Sequence, residues 1–324
     1  MRHRTVNQHD GRYAILEGRR IAALVPAFNE AAHVGDVVRT MPPFVDAMIV
    51  IDDCSTDGTS EAALAPGDPR VVLVRHPENE GLGASLIDAH KLALEAGGDI
   101  MVVMAGDGQM DPDYLPALLD PLLHEGYDFA KGNRFFASGS WSGMPRHRVF
   151  GNIVLTFLTK AATGYWDMFD PQNGYTAITR RVSERIDWDS LARDYSFEND
   201  VLAQLGLLRA RVRDVDIPAL YGDEISGIKL RTVVPQLLRT LWHALWRRFW
   251  LQYVARSFSP VALFAFSGAA ALLWSLVWGI WVVAEKIAGT TPTTATVMIV
   301  VLPFLMGFQL MLAAFVLDIT NSPK

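Results

Sequence analysis

Between residues 20 and 222, short apolar runs alternate with amphipathic stretches. The runs IAALVPAF, AMIVIDD, VVLVRHP and DIMVVMAGD are rich in Val and Ile, and their length and lack of polar alternation predict strands buried on both faces. Stretches such as GLGASLIDAHKLALEAGG carry apolar residues at helical spacing and predict the intervening helices. Continuous apolar strands alternating with helices imply an α/β domain built on a mostly parallel, Rossmann-like sheet. Ligands gather at the carboxyl ends of such strands. Three of the runs end in polar clusters there: Pro26, Phe28, Asn29 and Glu30 after the first, Asp52 to Gly58 after the second, and Asp107 to Asp111 after the fourth.

The pattern changes abruptly near the C-terminus. From Ser257 to Leu317 the charged side chains are Glu285 and Lys286 alone. Val261 to Ala284 and Ala295 to Leu317 each meet the roughly 20-residue length needed to cross a bilayer, and neither has a polar face. The short linker EKIAGTTPTT joins them into a hairpin with both ends on one side. Arg239, Arg247, Arg248 and Arg256 precede the first span, whereas the hairpin loop offers Lys286, so the positive-inside rule places both termini in the cytoplasm. Just before the spans, Leu238, Leu241, Trp242, Leu245, Trp246, Phe249, Trp250 and Tyr253 recur at helical spacing among arginines. That pattern predicts an interfacial amphipathic helix, with aromatics at headgroup depth and guanidiniums near lipid phosphate. A helix packed on the soluble domain would show the same spacing. The resulting division is a cytosolic α/β domain over 1–230, a juxtamembrane helix over 231–257, and a hairpin with a short tail over 258–324.

Composition narrows the function classes. With 29 Lys+Arg against 35 Asp+Glu, the formal net charge is −6. That balance argues against nucleic acid as a partner, since phosphate backbones need a concentrated excess of cations. The single cysteine, Cys54, forms no intrachain disulfide and is expected to be a small packed residue. The first 20 residues are polar and lack the apolar core of a secretory signal, so the domain that follows is expected to stay in the cytoplasm. Eight scattered histidines show no zinc-type spacing.

Taken alone, DDCSTDGT reads as a helix start, with Ser55 or Thr56 as N-cap and Asp57 near the positive helix end. A second acidic cluster, MAGDGQMDP, changes the weighing, because Asp107 also follows a strand and shares the same rim. Carboxylates converging at one edge call for a cation or for a ligand's hydrogen-bond donors.

In this order, VPAFNE, VIDDCSTDGT, NEGLGASL, MAGDGQMDP, KGNRF, FGN and DPQNGYTAITR resemble the family 2 glycosyltransferases of GT-A fold, and within them the polyprenyl-phosphate (dolichyl-phosphate) glycosyltransferases. The likeness spans roughly residues 21 to 230. It implies inverting transfer of one sugar from a nucleotide sugar to a dolichyl or undecaprenyl phosphate. By the same resemblance Pro26, Phe28 and Glu30 line the nucleotide pocket, with Asp53 reaching the base and Asp52 beside it. Asp107, helped by Gln109, would hold Mg²⁺ or Mn²⁺, and Lys229 would lie near the donor phosphates. Many relatives carry a carboxylate where this chain has Ala105, so one metal ligand of the usual pair is missing.

A lipid monophosphate is already anionic at neutral pH, so attack on the sugar needs cations to gather the two anionic partners more than it needs a base. Arg134 in KGNRF and Arg148 in MPRHRVFGN match acceptor-phosphate positions, with Arg146 as fallback for the second. Asp170, Gln172 and Asn173 would lie near the sugar, although a turn with Gly174 opening a strand explains the same residues. Glu198 and Asp200, in FEND, orient sugar hydroxyls or cap a helix. Motif variants favour a UDP-hexose over GDP-mannose. Membrane lipid is the other expected partner, and homo-oligomerisation is left open. Two other functions share these features: transfer to a lipid or polysaccharide hydroxyl, and a noncatalytic GT-A scaffold.

Overall fold

The computed structural model describes residues 18–134, 146–194, 196–218, 230–256 and 258–323. The chain divides into two compact units, the first formed by residues 1–140, 172–198 and 211–228, the second by 141–171, 199–210 and 229–324.

The first unit contains, among its described residues, a seven-stranded sheet of order β3-β2-β1-β4-β6-β5-β7. The strands are β1 (Ile21–Ala27), β2 (Ala47–Asp52), β3 (Val71–Arg75), β4 (Ile100–Val103), β5 (Phe129–Asn133), β6 (Thr176–Thr179) and β7 (Val212–Asp216). β1 pairs in parallel with β2 and β4, β2 with β3, and β5 with β7. β6 runs antiparallel between β4 and β5, so the other six strands point one way. This is the mostly parallel sheet expected, and all four strand-like apolar runs are strands. Alternation across the sheet puts Ile21, Ala23, Val25, Met48 and Val50 in one core with Val34, Val37 and Val38 of α1 (Val34–Thr40). The same core takes Leu115, Leu118 and Leu119 of α4 (Leu115–His124). Two further helices, α2 (Thr59–Leu64) and α3 (Leu82–Glu95), follow β2 and β3. Gly83 lets α3 start against the backbone of Arg193, where a Cβ would stand 2.6 Å from the Arg193 carbonyl carbon.

The second unit holds α5 (Arg146–Thr163), most of α7 (Phe197–Leu208), α8 (Leu230–Arg248), and the long helices α9 (Pro260–Ile287) and α10 (Thr294–Thr320). The one-turn α6 (Arg180–Ser183) belongs to the first unit. Helices α9 and α10 are long and apolar enough to cross a membrane, with mean hydropathy 1.9 and 2.4. They cross where Gly268 faces Gly307, each lying so close to the other's carbonyl that a Cβ would stand about 3.0 and 2.9 Å away. Ser259 caps α9 and Thr293 caps α10, each accepting from a backbone N–H of its first turn.

The juxtamembrane segment differs from the expected single amphipathic helix. α8 gives way to a π-helical stretch, Phe249–Ala255, whose wider turn rotates the register. Leu237 and Leu241 pack on Leu155, Leu158 and Ala162 of α5, while Leu238, Trp242, Trp246 and Trp250 stay exposed. Tyr253, placed by spacing on the lipid-facing stripe, is buried instead. Arg248 is not near lipid phosphate: it is 5% exposed, and its Nη1 and Nη2 donate to Asp318 Oδ1 and Oδ2 at 2.8 and 2.9 Å. The Tyr253 hydroxyl and Trp166 Nε1 also donate to Asp318, and Arg248 Nη2 donates to Ala161 O. Gly164, at φ 85°, leaves room for the guanidinium, since a Cβ would stand 2.7 Å from Arg248 Nη1. Arg256 stays exposed but is also tied to the protein, donating to Leu207 O at 2.9 Å. Arg239 and Arg247 remain exposed.

Candidate active site

The parallel strands bring their carboxyl ends, and the loops that follow, to one edge of the first unit. The β1 and β2 loops are stitched together. Asn29, in the left-handed region at φ 57°, donates from its N–H to Ser55 Oγ at 2.9 Å, and its Oδ1 accepts from Thr56 N at 2.9 Å. Glu30 N donates to Thr59 Oγ1 and Ala31 N to Asp57 Oδ2. The helix start expected at Ser55 or Thr56 falls later: α2 begins at Thr59 with Gly58 at its N-cap, and Asp57 Oδ1 accepts from Thr59 N. Ser55 and Thr56 are instead consumed in joining the two loops.

The paired aspartates have different fates. Asp52 is fully buried, accepting from Ser55 N at 2.8 Å and from Ser60 Oγ, with Arg75 at 3.8 Å. Desolvation opposes its charge, but those hydrogen bonds and Arg75 outweigh it and hold its pKa below the usual carboxylate value. A carboxylate so enclosed shapes the loop. Asp53 accepts at Oδ1 from His76 Nδ1 and Glu80 N, and at Oδ2 from Gly81 N, at 2.8 to 2.9 Å. It therefore anchors the NEGLGASL turn, whose Gly81 has φ 92°. His76, which no motif singles out, stands between Asp53 and Asp88. Pro26 is buried within β1 and contributes its carbonyl, which accepts from Gly106 N at 3.0 Å. Phe28 is exposed at the rim, where its ring is free to cover a ligand.

That Pro26–Gly106 bond seats the MAGDGQMDP loop beside the first one. A Cβ on Gly106 would stand 3.0 Å from the Ala27 Cβ, so the approach needs glycine. Asp107 Oδ1 accepts from Gln109 N at 3.0 Å, which holds the carboxylate at the rim with Gln109 exposed next to it. Among the described residues, no group of three His, Cys, Asp or Glu converges as a metal cage. The oxygen donors on offer are one carboxylate and one amide. That set suits a hard cation that takes its remaining ligands from phosphates and water.

The DPQNGY segment closes on the same loop. Tyr175 Oη donates to Asp111 O at 2.9 Å. Asn173 Nδ2 donates to Gly132 O at 2.8 Å, so Asn173 fastens the turn to β5. Asp170 lies in the second unit, buried at φ 48°. Arg134 directly follows β5 and so shares the carboxyl edge with Asp107. Arg146 and Arg148 fall in the first turn of α5, their side chains outside the described residues, as is Lys229 altogether.

Two titratable groups at this end of the sheet lie away from solvent. Lys131, on β5, is 1% exposed. Glu198, at the start of α7, has its Oε1 3.9 Å from where a Gly174 Cβ would be. Burial pushes its pKa up to about 7, Asp194 adds to the rise, and Lys131 works against it. Glu198 is marked in the sequence by FEND, whereas the signal for Lys131 is the lysine that opens KGNRF, from which that motif's arginine drew attention.

A family model described as glycosyl transferase family 2 matches residues 22–187. The chain is 25% identical over 218 residues to a UDP-N-acetylglucosamine–dolichyl-phosphate N-acetylglucosaminyltransferase of Methanococcus voltae, covering 63% of this chain and 86% of that protein. It is 28% identical over 216 residues to an undecaprenyl-phosphate mannosyltransferase of Micrococcus luteus, covering 64% and 86%. Glucosyl-3-phosphoglycerate synthase of Mycobacterium tuberculosis, crystallised with Mn²⁺, uridine diphosphate and product, superposes with a TM-score of 0.55 at 24% identity, covering 74% of this chain and 86% of that one. That likeness shows the fold.

Proposed function

From membership of glycosyl transferase family 2, to which the chain belongs over residues 22–187, we infer that it transfers a single sugar from a nucleotide sugar to a polyprenyl phosphate at a membrane surface, with inversion. The observation that carries this is the pairing of relatives named for dolichyl and undecaprenyl phosphate with two helices fit to span a bilayer. A UDP-sugar is preferred as donor, in keeping with the donor named for the Methanococcus relative. Catalysis is assigned to residues 1–230 on the cytosolic face, with residues 258–324 as anchor.

Phe28 and Glu30 would flank the nucleotide, and Asp53 would act by holding the Glu80–Gly81 turn in place. Asp107 and Gln109 would hold Mg²⁺ or Mn²⁺, the ions present with UDP in the glucosyl-3-phosphoglycerate synthase structures. When bound, such an ion neutralises charge on the departing nucleoside diphosphate. Lys229 would add a second positive charge there. Arg134 and Arg148 would grip the acceptor phosphate, whose own oxygen attacks without a base, and Asp170 would orient the sugar.

The test compares wild type, Arg134→Ala and Arg148→Ala with polyprenyl phosphate and with the free polyprenol, using UDP-glucose, UDP-N-acetylglucosamine and GDP-mannose. The arginine variants should lose acceptor use by a few kcal/mol, roughly 2–5 for truncating a desolvated charge partner, while nucleotide affinity stays near normal. Asp107→Ala should abolish transfer even with saturating Mn²⁺. Robust transfer to polyprenol would favour the hydroxyl-acceptor alternative, and no transfer from any donor would favour the noncatalytic scaffold.

A further inference from the structure

We propose that His76 is a positioning residue for the donor nucleotide, and that its doubly protonated ring sets the turn on which that nucleotide rests. Three groups far apart in the chain meet there: Asp53 after β2, His76 after β3 and Asp88 on α3. His76 is 6% exposed. Its Nδ1 lies 2.8 Å from Asp53 Oδ1, and its Nε2 lies 3.3 Å from Asp88 Oδ2. An ionised carboxylate only accepts, so the nitrogen facing Asp53 carries a proton. The neutral ring then leaves a lone pair on Nε2, cut off from water and facing a second carboxylate. A second proton turns that repulsion into an ion pair.

What the ring holds is the turn that opens α3. The Asp53 carboxylate also accepts from Glu80 N at 2.9 Å and Gly81 N at 2.8 Å, so one side chain fixes both the imidazole and this backbone. Asp88 belongs to α3 itself. The ring therefore closes a circuit from β2 through the turn into the helix and back. Other charges around it are engaged elsewhere: the Glu80 carboxylate accepts from Arg193 Nη1 at 2.9 Å, while Arg75 donates to Ser55 O at 2.7 Å and faces Asp52 at 3.8 Å. The Cys54 thiol reaches Pro77 O at 3.5 Å, and His76 N donates to Asp52 O at 2.9 Å.

Charge carries the arrangement to the ligand. With the ring protonated, two carboxylates and one imidazolium leave a net charge of −1; with the ring neutral they leave −2. A nucleoside diphosphate is an anion, so the added negative charge opposes it, and the turn loses part of its preset geometry at the same time. The Asp88 side chain is 46% exposed and gives the proton its route to water. Donor affinity should therefore fall on the alkaline side of the His76 titration, by about three- to tenfold, the scale of one unit charge acting near a protein surface. Turnover at saturating donor should hold, since the ring positions the donor and touches no reacting atom.

This rests on the nucleotide reading of the site, and the experiment separates the two. UDP and GDP are titrated calorimetrically with Mg²⁺ into full-length wild type, His76→Gln and Asp88→Asn in detergent micelles, across roughly pH 5.5 to 8.5. The same proteins labelled with ¹³C,¹⁵N-histidine report the ring by nuclear magnetic resonance, the His76 signal being the one lost in His76→Gln. Ionisation of the nucleotide is common to all three and cancels in the comparison. In wild type the ring titration and the weakening of nucleotide binding should share one midpoint, and Asp88→Asn should move both to lower pH. His76→Gln, whose amide still donates once to Asp53, should bind at every pH as wild type does with a neutral ring, its KM for the nucleotide sugar raised and its kcat within about twofold. Asp88→Asn alters a half-exposed residue and carries the test alone if His76→Gln fails to fold. The proposal is overturned, with the nucleotide site left standing, by a ring that does not titrate, by wild-type affinity that stays flat while it does, by midpoints unmoved in Asp88→Asn, or by full affinity of His76→Gln at the acid end. Equal loss of kcat and affinity at every pH marks a merely structural role and overturns it too. Wild type that binds neither UDP nor GDP at any pH removes the nucleotide reading, and this proposal with it.

Discussion

Removing the carboxylate of Asp318 should be among the most damaging single changes in the second unit. Asp318→Ala strips Arg248 of both charge-assisted hydrogen bonds, and also removes the acceptor used by Tyr253 and Trp166. Breaking one side of a buried ion pair costs about 3–5 kcal/mol, and the extra unpaired donors put Asp318→Ala at the top of that range. Arg248→Met should cost less, near 3 kcal/mol on the same scale, because the carboxylate keeps the Tyr253 and Trp166 donors. The double variant Arg248→Met/Asp318→Ala removes both charges and leaves only two neutral donors unmatched, so its cost should fall to about 1–3 kcal/mol. The coupling between the two sites then exceeds about 3 kcal/mol, far outside the roughly 0.5 kcal/mol scatter of independent sites. Reversible unfolding in mixed micelles, titrated with sodium dodecyl sulfate for all four proteins, measures each corner of the cycle. Additive single effects, or single effects under about 1 kcal/mol, would show that the pair is screened by water or headgroups, as exposed pairs are.

Gly83→Ala places a Cβ against the Arg193 backbone and should cost about 1–3 kcal/mol, and it should weaken UDP binding in calorimetry because the Gly81 turn held by Asp53 shifts with it. Titration should show two opposite slopes. His90 is buried against Trp188, their rings 4.2 Å apart, and burial lowers its pKa to about 3, so the unfolded chain alone takes a proton below its ordinary 6.5 and stability falls as pH drops from there toward 3. His90→Phe should remove that acid-side loss. Glu198, raised to about 7 from an ordinary 4.5, holds a proton in the folded state that the unfolded chain releases, so its contribution is complete below 4.5 and disappears as pH climbs through 7. Glu198→Gln should flatten the fall between pH 5 and 7 in unfolding midpoints, and an unchanged slope would count against the burial argument.

Strands β1, β2 and β4 were legible because strands covered on both faces need apolar residues at every position, and the edge strand β3, with Val72 exposed, was legible from its run of Val and Leu alone. β5, β6 and β7 were not: FAKGN and VRDVD carry charges, and TAIT is four residues long. Their pairing depends on neighbours distant in sequence, as when Asn133 Nδ2 donates to Asp214 Oδ2. The rim motifs lie at the strand ends, yet residue type alone could not separate rim-lying Asp107 from enclosed Asp52. Arg248 resembled its exposed neighbour Arg247 because its partner lies 70 residues away.

The place of β6 sets a timetable for synthesis. β4 is complete at Val103, but its outer edge stays bare until Thr176–Thr179 emerges, roughly seventy residues later. At about 5–20 residues per second the ribosome needs about 4–15 s to supply that strand. During this interval the nascent chain displays the open edge of a four-residue strand that ends fully buried. Bare apolar edges recruit other strands. Chaperone dependence and aggregation of this protein should therefore concentrate in chains stalled between residues 104 and 176, before any membrane-spanning segment has been made.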